Sequence, residues 1–158
     1  MPTRKPISDY IESLLLAEIC NRCPVCGFFE KTTENFTNHH INHDSTISEY
    51  WNLIRICKTC HEEINKNKED GIRDRKIKQI KKDLFRKLVG TASYEVLLLA
   101  NGSRTTTSLP CLANPLIKLS LIKETGSGIH CCRSSHPTIM GYKITEKGKE
   151  LIQKLNLK

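Results

Sequence analysis

Apolar and polar positions recur along this chain with periods that change from segment to segment, and each period predicts an element. Ser8 can accept a hydrogen bond at a helix start, and Ile11, Leu14, Leu15 and Ile19 follow on one stripe, which predicts a helix over about residues 9–20. Residues 32–38, with Phe36 as the apolar member, read as a strand leading into two histidines. Residues 51–56 alternate loosely and read as a return strand or loop, and from Cys60 the pattern turns helical. Ile72, Ile77, Ile80, Leu84, Phe85 and Leu88 recur at near-helical spacing and predict a helix over about 72–89, closed by Gly90. Beyond it the pattern predicts a helix over 92–100 stopped by Asn101-Gly102, a turn or short helix over 105–109, and a helix over 114–123 carrying Leu116, Ile117, Leu119, Leu121 and Ile122. Gly126-Ser127-Gly128 opens a hairpin-like stretch, residues 142–144 form a strand, and Thr145 caps a last amphipathic helix over 146–155.

Composition sharpens this outline. The 158 residues suffice for one ordinary domain or two small ones, and two fit better because the cysteine-rich segment ends near residue 65 and a new pattern begins near 91. The formal net charge is +8, which points to a polyanion, nucleic acid before anionic membrane. Residues 66–87 hold ten Lys or Arg and four Asp or Glu, a net of +6, so one segment carries most of that excess. Such a helix is either a solvated linker or a phosphate-tracking face; Lys76, Lys78, Lys81, Lys82 and Arg86 are its candidate contacts. Nothing in the chain approaches a membrane span, and no apolar leader with a cleavage site opens it. With four of eight cysteines in C-x-x-C pairs, the expectation is an intracellular protein with reduced thiols.

Those pairs are Cys23/Cys26 and Cys57/Cys60, thirty residues apart. Four thiolates hold zinc tetrahedrally with no open position, so such an ion is structural and stands in for a core. Pro24 and Gly27 suit a tight knuckle. Cys20 offers a shifted first pair without those turn residues, and Cys111, Cys131 and Cys132 read as ordinary buried thiols. The loop that the thiols close holds His39-His40, with Asn52 before the second pair and His61 directly after it. Adjacent histidines on a strand face opposite sides, and Asn65, four residues after His61, shares its helix face.

This order, C-x-x-C, His39-His40-Ile41, Asn52-Leu53-Ile54 and C-x-x-C-His61, resembles the HNH nuclease family over about residues 20–66. The resemblance implies a ββα-metal fold in which His40 is the general base and Asn52 braces the loop and orients that base. It makes His39, where the family often has Asp, and His61 ligands of a catalytic divalent ion, with Asn65 as a third. Magnesium or manganese is the expected ion, though a His, His and Asn set also accepts softer ones. His43 falls at a variable turn position beside Asp44, with a ligand role as its lesser reading. Residues 116–123 and the segment Tyr142-Lys143-Ile144-Thr145-Glu146-Lys147-Gly148 resemble winged-helix domains over about 91–158. By that resemblance Arg104, Lys118, Arg133 and Lys143 are DNA contacts, and His130 and His136 are wing or surface residues.

The expected architecture is therefore α+β: a zinc-stapled ββα-metal (HNH) module at 1–66, a basic linker helix at 67–90 and a winged helix-turn-helix domain at 91–158. The expected activity is site-specific cleavage of double-stranded DNA, of restriction or homing type, leaving 5′-phosphate and 3′-hydroxyl ends. One site cuts one strand, so a double-strand break calls for a homodimer or a second encounter. The competing readings are a non-catalytic zinc-dependent DNA-binding regulator and an RNA-directed nuclease, the latter disfavoured because no aromatic stacking platform is evident.

Overall fold

The computed structural model describes residues 5–29, 31, 34–66, 71–103, 105–129 and 139–157, and divides into two compact units, Met1–Leu88 and Val89–Lys158. Both are mixed α+β, with six helices and two small antiparallel sheets among the described residues. None of the described helices is long and apolar enough to cross a membrane.

The first unit opens with α1 (Asp9–Ile19), whose start is capped by Ser8 accepting from the Ile11 N–H. Strands β1 (Phe36–His40) and β2 (Leu53–Cys57) pair antiparallel, with His39 opposite Ile54 and His40 opposite Leu53. A single 3-10 turn, Tyr50–Asn52, feeds β2, which runs directly into α2 (Lys58–Lys66). The Lys58 N–H donates to the Asn35 carbonyl, so the start of α2 is pinned to the entry of β1. Ile19, Phe36, Ile41, Ile54, Ile56 and Ile64 form the core with three of the C-x-x-C thiols.

Helix α3 (Gly71–Val89) matches the predicted span, but it is not a bare tether. Ile77 lies in the core of the first unit, and Ile80 and Leu84 pack against it. Lys81 requires a correction. Expected among the DNA contacts, it is wholly buried, because position 81 falls four residues after Ile77 and four before Phe85, in the middle of the apolar stripe. Its ammonium donates to both oxygens of Glu18 at 2.8 Å and lies 3.6 Å from the Tyr50 ring centroid, while the Tyr50 hydroxyl donates to Glu18. Burial pushes the Glu18 carboxyl up and pulls the Lys81 ammonium down to about 8, with the pair's attraction opposing both shifts. Helix α1, which the pattern left without chemistry, thus supplies a buried acid.

The second unit runs α4 (Thr91–Gly102), β3 (Thr106–Ser108), α5 (Pro110–Lys118), β4 (Ile122–Ile129), β5 (Ile139–Ile144) and α6 (Glu146–Leu155), with sheet order β3-β5-β4. Two predicted elements change. Residues 106–108 form a strand, pairing with Met140, Gly141 and Tyr142, where a turn or helix was expected. The helix expected over 114–123 starts at Pro110, where a missing N–H costs nothing, and stops at Lys118. Ser120 takes a left-handed conformation (φ 59), and the Ser120 and Leu121 amides donate back to Ile117 and Leu116, which closes the helix and sends Leu121 and Ile122 into β4. One helix, α5, therefore separates β3 from β4, where a helix-turn-helix uses two. Thr145 caps α6 as predicted, its hydroxyl accepting from the Gly148 N–H. A Cβ at Gly148 would lie 2.3 Å from the Leu121 carbonyl oxygen, so α6 and the entry to β4 approach as only glycine allows.

Candidate metal and histidine site

The knuckle before the sheet is built by its own backbone. Gly27 turns through φ 77 and donates its N–H to the Cys23 carbonyl, while the Cys23 N–H donates to Phe28. This aims Cys23 and Cys26 at Cys57, the last residue of β2, and Cys60, in the first turn of α2. The four Sγ atoms all lie within 4.8 Å of one another, with Cys23–Cys60 at 3.9 Å and Cys26–Cys57 at 3.7 Å. Four sulfurs around zinc at about 2.3 Å stand about 3.8 Å apart, so the set fits a tetrahedral ion. All four are free thiols, which leaves them available as ligands. Burial raises the Cys23 thiol, but N–H groups of Cys57, Cys26 and Val25 outweigh it and hold the thiol below its ordinary value. Cys20 lies exposed at the end of α1, outside the cluster. Cys111, expected to be a buried thiol, is exposed on α5; Cys131 and Cys132 lie outside the described residues.

Beside this cluster, β1 and α2 bring histidines together. His39 is buried, and its ring centroid lies 5.4 Å from that of His61 on α2 and 5.5 Å from that of His43, both edge-on. His40, next on the strand, is also buried, and its carbonyl accepts from the His43 N–H. Asn65 places its amide nitrogen 3.2 Å from His61 Nδ1. Asn52 is fully buried and spans the loop between the strands: its Oδ1 accepts from the Asn42 N–H at 3.0 Å, and its Nδ2 donates to the Ile47 carbonyl at 2.9 Å. Its own carbonyl accepts from Ile41, so one residue fixes both the end of β1 and the loop beyond it.

Two participants were not legible as such. His43, set aside as a turn residue, is carried back over His39 by a left-handed backbone (φ 59), and Asp74 of α3 places Oδ1 3.1 Å from its Nε2. Nothing local pairs residue 74 with residue 43; the contact exists because the apolar side of α3 docks on the module. Among the other expected contacts, Lys76, Lys78, Arg86, Lys118 and Lys143 are exposed and Lys82 is half-buried. Arg104, Arg133, His130 and His136 lie outside the described residues.

Burial, then the charges of His61, His43 and His40, pull His39 from 6.5 to about 4, against a small upward pull from Asp74. The imidazole is therefore neutral at pH 7, as a ligand must be. Because the folded value is depressed, the unfolded chain binds the extra proton between the two values. The contribution to stability is complete above about 6.5 and is lost as the pH falls through about 4. NMR titration of the His39 Cε1–H signal is expected to show a midpoint near 4; a midpoint near 6.5 would mean that the ring is solvated.

Compared with known protein families, curated proteins and solved structures, the chain gives no match.

Proposed function

We propose that the first unit is a metal-dependent DNA endonuclease of HNH type. The observation that supports it best is the β1-β2-α2 order, with His39 set against His61 and the intervening loop tied down by the buried Asn52 amide. In this reading His40 takes the proton of the attacking water, and Asn52 keeps the strand end that carries His40 from moving. His39 and His61, with Asn65 beside them, hold a divalent ion, magnesium or manganese in the first instance, whose charge favours departure of the 3′-oxygen. The four-cysteine zinc has no open position and serves to hold α2, and so His61, against the sheet. Lys76, Lys78 and Arg86 are exposed on α3, where their positive charges favour the phosphate backbone. The second unit departs from a full helix-turn-helix in having one helix between β3 and β4, but its three-stranded sheet and wing-like β4–β5 hairpin support a DNA-reading role, which favours a site-specific enzyme.

The test is cleavage of supercoiled plasmid by the full chain, with zinc content checked throughout. Magnesium or manganese is expected to support nicking or linearisation that stops on dialysis into metal-free buffer. His40→Ala is expected to lower the rate by at least about a hundredfold with the zinc retained. Full activity in that variant would move the base elsewhere. DNA binding by both proteins with cleavage by neither, on substrates of varied sequence, would favour the regulator.

A further inference from the structure

We infer that His43 is a third imidazole ligand of the ion held by His39 and His61, oriented by Asp74, so that the site binds a borderline divalent ion such as zinc, nickel or cobalt more tightly than the magnesium or manganese that supports cleavage. This rests on the proposal that His39 and His61 bind a cation and adds to it the residue that decides which cation.

Geometry comes first. Two imidazoles that share one ion at about 2.0–2.1 Å, each with its ring centre about 1.2 Å behind the bonded nitrogen, have centroids about 5 Å apart at a tetrahedral angle. The observed separations are 5.4 Å for His39–His61 and 5.5 Å for His39–His43, with both rings edge-on to the buried central one. The thiols alone have ligand atoms all within 4.8 Å of one another among the described residues. The imidazoles stand at the ring spacing of ligands that share an ion.

The backbone explains why His43 can do this. After His40 the chain turns so tightly that the His43 N–H returns to the His40 carbonyl at 3.0 Å, and His43 itself is left-handed. Asn52 holds the next residue back, Asn42, by its N–H. The imidazole of His43 is therefore presented from a braced turn rather than a loose loop.

Asp74 completes the arrangement. A carboxylate accepts hydrogen bonds, so an imidazole bound to a metal through Nδ1 would keep its proton on Nε2, the atom that lies 3.1 Å from Asp74 Oδ1. A histidine that donates its far N–H to a carboxylate is the usual partner arrangement of a metal-bound imidazole. Asp74 is itself fixed, because Ile77, one turn on in α3, is anchored in the core. An isolated surface ion pair would need none of this, and would contribute little. Three neutral nitrogens suit ions of the zinc, nickel and cobalt kind, whereas magnesium demands oxygen ligands.

Cobalt(II) titration of the zinc-depleted full chain separates the two sites. Cobalt in four thiolates shows sulfur-to-metal charge transfer in the near ultraviolet, and cobalt held by imidazoles shows only weaker visible bands. The expected result is two equivalents, one of each kind. Asp74→Asn is expected to weaken the second by about 10–100-fold, and His43→Asn, which keeps the left-handed turn, by more, with the thiolate band intact in both as the control for folding. Unchanged affinity for the second equivalent in both variants, with loss in His39→Ala, would overturn the role of His43 and leave the nuclease site standing. A single thiolate-bound equivalent in the unaltered chain, with no manganese binding either, would remove both.

Discussion

Cys57→Ser is expected to cost the first unit its fold as well as its zinc. Cys57 ends β2, and the next residue starts α2, so this one thiol joins the sheet, the helix and the knuckle. Apparent zinc binding in such modules is worth about 10–16 kcal/mol at neutral pH, whereas a whole small domain is stable by about 5–15 kcal/mol. A short two-stranded sheet packed by α1, α2 and α3 does not replace that from burial alone. The measurement is zinc release to a chromophoric indicator alongside far-ultraviolet circular dichroism on heating. The first unit's transition is expected to vanish, while the second unit, with its own core of Leu97, Leu116, Tyr142 and Leu151, keeps one. Retention of one equivalent of zinc and of both transitions would show that the thiols do not act as a set.

Lys81→Met is expected to destabilise the first unit by about 3–5 kcal/mol, because it leaves the Glu18 carboxyl buried without its cation. Glu18 and Lys81 are both wholly inaccessible at their side chains, so no water replaces the lost partner. The double variant Glu18→Leu with Lys81→Met removes both charges and is expected to recover most of the loss, leaving the Tyr50 hydroxyl as the one group without its acceptor. Urea denaturation of the single and double variants gives the coupling directly. A cost below about 1 kcal/mol for Lys81→Met would mean that the ammonium reaches solvent and that α3 is held by its isoleucines alone.

The parts of the structure that could be read from the chain are those whose cause is local. The C-x-x-C spacing, the Ser8 and Thr145 caps and the 3.6-residue stripe of α3 all follow from neighbours in sequence, whereas the strand expected over 32–38 is found at Phe36–His40 and holds the histidines itself. What escaped depends on distant partners. The three residues of β3 become a strand only because β5 lies alongside, more than thirty positions away. The apolar run from Leu116 to Ile122 looks like continuous helix, and no glycine marks the left-handed stop that Ser120 adopts. Lys81 looked like one more member of a basic face, although its spacing to Ile77 and Phe85 put it among core positions. His43 and Asp74 come together across thirty-one residues, through a docking that neither residue drives. The histidine cluster was therefore half visible in the sequence: His39, His40, Asn52 and His61 by order, His43 and Asp74 only by folding.

Gly148 carries a different lesson, about which substitutions this chain can accept. Its backbone is helical, so glycine is there the poorest choice short of proline by intrinsic preference, and alanine would be better by about 1 kcal/mol on an open helix. The Leu121 carbonyl, which also accepts from the Thr145 amide and hydroxyl, occupies the space that any larger residue needs. Position 148 therefore answers to an oxygen twenty-seven residues upstream, and Gly148→Ala would have to push α6 away from the entry to β4.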